Sequence, residues 1–121
     1  MAVGSFPVRA LAALLLSASP AACSFAAGPR LYVSGTQALD RGDTSRAIAD
    51  LEQASRLMPE ASEVQNHLGI AYENAGRKED ALSAWRRAVA LDCSNGAAVR
   101  NLRDAEAEAA RRAGGVAGAA P

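Results

Sequence analysis

The sequence predicts an all-α fold: two antiparallel helical hairpins in tandem, closed by a capping helix and preceded by an N-terminal signal segment. Two observations predict it. Within Ser62–Cys93, Leu68, Gly69 and Tyr72 fall at i, i+1 and i+4, and Ala81, Trp85 and Ala88 at i, i+4 and i+7. That spacing gathers each set on one face of a helix. The pattern then recurs 34 residues upstream, where Gly69 maps to Gly35, Gly76 to Gly42, Ala81 to Ala47, Trp85 to Leu51 and Ala88 to Ala54. An ordinary helical hairpin bundle shares the apolar periodicity but not these coincident small residues.

Met1 to Ala22 has the build of an export signal. Arg9 gives a positive start, Ala10–Leu16 is apolar, and small residues follow up to Ala22. The apolar run is shorter than the roughly 20 residues that cross a bilayer as a helix. Cys23 comes directly after Ala21-Ala22, and residues 23–28 are expected to be a linker. The first helix is expected over Pro29–Arg41, with Pro29 in its first turn. Gly42-Asp43-Thr44 makes a turn in which Asp43 or Thr44 can cap the second helix, Ser45–Met58. Pro59 and Glu60 are expected to open the third helix, which runs to about Ala75. Asn74-Ala75-Gly76-Arg77 turns the chain, with Gly76 suited to the left-handed residue after a helix end. The fourth helix covers Lys78–Leu91, and Asn95 is placed to cap a fifth over 97–112. Residues 113–121, rich in glycine and alanine, are expected to fray as a flexible tail.

These residues resemble the tetratricopeptide repeat, a helix–turn–helix unit with a period of about 34 residues. The signature places are Gly35, Gly42, Ala47, Ala54 and Pro59 in the unit 28–61, and Leu68, Gly69, Tyr72, Gly76, Ala81, Trp85 and Ala88 in the unit 62–95. Cys93 takes the place of Pro59, Ser34 that of Leu68 and Ala38 that of Tyr72. Arg103 stands where the third glycine would be, so the fifth helix reads as a cap that seals the array. The resemblance implies a concave face lined by the first helix of each unit. On it would lie Tyr32, Thr36 and Leu39, then Glu63, Asn66, Ile70, Glu73 and Asn74, then Arg100. Such a surface suits a partner's peptide or helix laid in a groove; packing between units is the plainer role for Leu39 and Ile70. The clamp that holds a terminal carboxylate in some cytosolic members needs lysine, and the matching places carry none.

Ala21-Ala22-Cys23 resembles a bacterial lipoprotein signal, with Cys23 the lipidated residue, although Pro20 stands where an aliphatic residue is usual. Ordinary cleavage, for example after Ala26, is the alternative. Together the signal and the repeats resemble the small lipoproteins of this family that serve pilus and secretion assembly. That implies a non-enzymatic envelope scaffold, exported to the periplasm and reaching the membrane only through its lipid. The alternatives are a soluble periplasmic holdase or assembly factor, or an accessory subunit of an envelope enzyme.

Thirteen basic and thirteen acidic residues cancel, which argues against nucleic acid as a partner. His67 is the sole histidine and lacks a neighbouring ligand set, so no metal or other cofactor is expected, and no catalytic constellation is in evidence. Cys93 is expected to be half-buried. Two repeats fall short of the three usual for stability, so either the fifth helix or a partner, including a second copy, supplies the missing interface.

Overall fold

The computed structural model describes the backbone of residues 20–117 and the side chains of residues 26–115. The first 19 residues, which hold most of the expected signal segment, lie outside the described residues, as do residues 118–121. Five helices follow one another: α1 (Pro20–Asp40), α2 (Thr44–Leu57), α3 (Ser62–Asn74), α4 (Lys78–Leu91) and α5 (Gly96–Ala117). Each packs on the next. In addition α3 touches both α1 and α5, whereas α2 and α4 do not touch. The array therefore curves, with α1, α3 and α5 on its inner, concave side and α2 and α4 outside.

Close approach within each hairpin depends on one missing side chain. A Cβ built on Gly69 would stand 2.5 Å from Trp85 Nε1, and one on Gly35 would stand 2.6 Å from Leu51 Cγ. Bulky residue and glycine are both displaced by 34 positions, so the two hairpins share one packing solution. Trp85 is 2% exposed, and its indole N–H donates to the Asn66 carbonyl at 3.1 Å. The polar end of the ring is thereby satisfied inside the core. Around Leu51 a cluster forms from Ala38, Ala47, Leu68 and Ala71, with Tyr32, Leu39, Ile48 and Tyr72 packed against it.

The turns repeat as faithfully as the cores. Gly42 and Gly76 have φ of 75° and 74°, the left-handed conformation that favours glycine. Asp43 N–H donates to Ala38 O at 2.9 Å and Arg77 N–H to Tyr72 O at 2.8 Å. These six-to-one bonds close the ends of α1 and α3 in the same way. Asp43 then caps α2 by accepting from Arg46 N–H at 3.1 Å. Asn95 does the same for α5, accepting from Ala98 N–H at 3.1 Å. Its amide nitrogen also donates to Ser62 Oγ at 2.8 Å, and Ser62 Oγ donates to Ala88 O at 2.9 Å. One asparagine thus joins the starts of α3 and α5 to the end of α4.

Several boundaries differ from expectation. The expected linker 23–28 is helical, and Pro29 lies inside α1, not in its first turn. Proline forfeits one backbone bond there. Two things offset that loss: alanines at 21, 22, 26 and 27 favour helix, and Gly28 is buried against Leu57 and Met58. Pro59 and Glu60 form a turn, closed by Ala61 N–H on Met58 O at 3.1 Å, and α3 begins only at Ser62. Beyond residue 112, α5 continues to Ala117 through a stretch expected to be a tail. Glu108 accepts from Arg111 at 2.9 Å in its last turns. Cys93 is exposed, not half-buried. Asp92 accepts from Ser94 N–H at 2.9 Å and Ser94 Oγ at 2.6 Å, and this tight turn leaves the intervening thiol outside.

Trp85→Ala should lower unfolding free energy by about 3–5 kcal/mol, because it empties a fully buried site. Gly69→Ala should cost about 1–3 kcal/mol by forcing the indole off its seat. Urea denaturation followed by circular dichroism measures both, and wild-type stability in either variant would contradict the packing described.

Candidate functional site

The concave face is built from matching places on the inner helices. Two cross-helix contacts span it, each linking residues 35 apart. Tyr32 Oη lies 3.3 Å from His67 Nδ1, with the rings edge to face at a centroid separation of 5.4 Å. Asn101 Nδ2 donates to Asn66 Oδ1 at 2.9 Å. Tyr32 and Asn66 occupy the same place in successive units, as do His67 and Asn101. The face is therefore a ladder of side-chain rungs joining α1 to α3 and α3 to α5.

His67 Nδ1 also lies 2.9 Å from Glu63 O. A carbonyl only accepts, so a proton assigned to Nδ1 satisfies the shorter contact and leaves Nε2 as the ring's acceptor. Burial, then the nearby Glu63 charge, raises the Tyr32 pKa above its ordinary value. The tyrosine hydroxyl stays neutral over the physiological range, and with the proton on Nδ1 its oxygen faces the ring N–H as an acceptor.

The expected groove residues divide into two groups. Tyr32, Thr36, Glu63, Ile70, Asn74 and Arg100 are exposed or half-buried on the inner helices. Thr36 spends its hydroxyl on Val33 O at 3.0 Å. The others are committed to the protein itself. Asn66 is 5% exposed and its side-chain oxygen is held by Asn101, so it is a rung and not an open donor. Leu39 packs on the core cluster. Glu73 accepts from Lys78 Nζ at 3.3 Å, turned toward the start of α4. The residues that sequence reasoning undervalued are His67, considered only as a metal ligand, and Asn101. Both stand one position after the matched groove place, at a spacing the repeat register displays.

On the opposite side, Tyr72 Oη donates to Glu52 Oε1 at 2.7 Å, and the Arg77 guanidinium sits 4.4 Å above the Tyr72 ring. Burial first, then the Glu52 hydrogen bond and charge, push the Tyr72 pKa up to about 12. Among the described residues, no group of three or more His, Cys, Asp or Glu is placed to hold a metal ion, and no helix is long and apolar enough to cross a membrane.

A family profile for the tetratricopeptide repeat matches residues 32–98, more than half the chain. The chain belongs to the tetratricopeptide repeat family. It is also similar to the cellulose synthase operon protein C of Escherichia coli strain K12 and to its putative counterpart in Escherichia coli O157:H7, at 38% identity over 63 residues in each case. The match covers 52% of this chain but only 5% and 6% of those proteins. Repeats of this family mediate contact between proteins, and that is the function the fold itself supports.

The folded chain holds Tyr72 neutral, so the stabilisation from its raised pKa is fully present below pH about 10 and lost as pH rises through about 12. Ultraviolet titration of tyrosinate should show the two tyrosines ionising above the value of 10.0 ordinary for tyrosine. Glu52→Gln should bring the later of the two steps down. A tyrosinate curve unchanged by that substitution would remove Glu52 as a cause.

Proposed function

We propose that the chain is a non-enzymatic interaction scaffold of the bacterial cell envelope, which takes a peptide or helix of a protein partner on its concave face. The observation that carries this reading is the pairing of open apolar surface with a rigid ladder. Tyr32 and Ile70 remain half-buried on α1 and α3, and the Tyr32–His67 contact fixes the two helices relative to each other. A preorganised surface loses less freedom when it binds. Glu63 and Arg100 flank the apolar centre and give the groove a polar rim.

Export and lipidation at Cys23 complete the proposal. The helical course of α1 gives it geometry: Cys23 stands five positions before buried Gly28, a rise of about 7.5 Å. A lipid there would hold the repeats close to the bilayer on a rigid arm. A second reading, an accessory subunit of an enzyme assembly, draws support from the relatives named for a cellulose synthase operon.

Tyr32→Ala combined with Ile70→Glu should abolish co-purification of envelope partners after mild crosslinking, with helicity retained. Full recovery by the folded double variant would place binding elsewhere. Cys23→Ser should move the protein from the membrane fraction to the soluble periplasm. An unchanged distribution, with no lipid label on the wild type, would end the anchor proposal.

A further inference from the structure

Two helical stripes meet on the outer end of the first hairpin. On α1, positions 23, 27, 30, 34, 37 and 41 recur at i, i+4, i+7, i+11, i+14 and i+18, the spacing of a single stripe. On α2, Arg46, Asp50, Gln53 and Leu57 recur at i, i+4, i+7 and i+11. Ser34 Oγ donates to Asp50 Oδ2 at 2.6 Å and so sets the two stripes side by side. α3 meets the hairpin on the other side, through Tyr32 of α1 and Ser55 of α2.

The end face is cationic. Arg30, Arg41 and Arg46 stand along it against one acid, Asp50. That carboxylate is already held by Ser34 and by Arg46 Nε at 2.9 Å. Among the described residues, Arg30 and Arg41 have no carboxylate partner. Apolar side chains are set among these charges. Val33, beside Arg30 and Gln37, is 50% exposed, and Leu57 is 42% exposed. The second repeat shows what this edge becomes when a helix covers it. Val64, Leu68 and Ala71 take the places of Arg30, Ser34 and Gln37, and all three are buried. The residues on α1 do not suit such an apolar stack. Basic side chains with apolar ones between them suit an anionic lipid surface, to which each arginine adds attraction.

Position 23 begins the same stripe, so a lipid attached there belongs to this face. Tyr32 comes nine positions later, about two and a half turns, which puts the concave face on the opposite side of α1.

We propose that the end face of the first hairpin lies flat on an anionic bilayer surface, with Arg30, Arg41 and Arg46 at the headgroup phosphates and Val33 and Leu57 seated among the headgroups. The proposal rests on the lipid anchor proposed above: the acyl chains bring the face to the membrane, and the basic face supplies the second attachment that stable anchoring takes. The concave face is then turned away from the bilayer, open to its partner. Intact mass of the protein purified from producing cells reads the acyl chains on Cys23 by themselves. Their absence ends the anchor reading, and vesicles judge the face with either form of the protein. The vesicles contain phosphatidylglycerol and brominated phosphatidylcholine, and Leu57→Trp or Ser83→Trp protein is added to them. Bromine should quench the indole introduced at position 57 and spare the one at position 83, which is exposed on α4; Trp85 is buried in both. Quenching at position 57 should weaken when phosphatidylglycerol is left out. In the Cys23→Ser background, Arg30→Gln should lower partitioning onto the anionic vesicles about fivefold, with helicity unchanged. No quenching at position 57, equal quenching at the two positions, indifference to phosphatidylglycerol, or undiminished partitioning of Arg30→Gln would each overturn the proposal. An envelope protein crosslinked at position 57 without lipid quenching there would give the face to a protein partner and overturn it as well.

Discussion

The indole of Trp85 lies where the side chain of residue 69 would be, and much of the structure depends on that exclusion. Gly69 lets α4 approach α3 until the Trp85 N–H reaches the Asn66 carbonyl. The same approach brings Ala81, Ala84 and Ala88 into full burial against α3. A chain with so few aromatic residues, 4%, has little bulk with which to fill a wide interior. It solves the problem by narrowing the interior. Alanine at the contact faces and glycine under the one large ring give close-packed helices with a thin core.

That choice sets the curvature, and curvature sets the candidate site. Inner helices that meet at rungs such as Tyr32–His67 must be nearer to one another than the outer pair. The outer layer accordingly opens where the inner layer closes. The concave ladder and the parting of α2 from α4 are two consequences of one geometry. The two sides of α3 differ in chemistry because it presents Asn66, His67 and Ile70 to the inner face and packs Gln65, Leu68 and Tyr72 against α2. Each helix of the inner layer is thus read twice, once per face, with the helical period separating the two sets.

The fold was legible because its signal is carried by backbone requirements. Glycines at 35, 42, 69 and 76 are needed either for close approach or for positive φ, and such needs survive changes in everything around them. Helix ends were less legible. Pro29 reads as a first-turn residue, yet tertiary contact of Gly28 with Leu57 and Met58 carries α1 past it. No local rule reports such a contact. The site was legible by place and not by state. Repeat register located Tyr32, Asn66, Ile70 and Arg100, but whether a side chain is open or spent depends on partners far along the chain. Asn66 is spent on Asn101, 35 residues away, and Glu73 on Lys78, across a turn.

The two ends of the array are not equivalent, and the difference lies in the residues that replace the signature. On α1, Arg30, Val33 and Gln37 are exposed, whereas their counterparts on α3 are Val64, His67 and Ala71, which are buried or half-buried. The outer edge of the first helix therefore meets solvent where the matching edge of α3 is packed. Toward α2 the helix keeps a tight seam: Gly28 and Gly35 meet Met58 and Leu51, and Ala38 is fully buried. On α5 the altered place is Arg103, which stands exposed where Gly35 and Gly69 receive Leu51 and Trp85. A helix docking on α5 as α4 docks on α3 would meet a guanidinium instead of open backbone. The first two layers stack because a side chain is missing at this place, and the gain of one, as Arg103, closes the third. Arg100 is left as the last place of the ladder, exposed beside a capped helix start. Arg100 thereby adds a positive charge on the α5 side of the concave face, beyond the apolar centre formed by Tyr32 and Ile70.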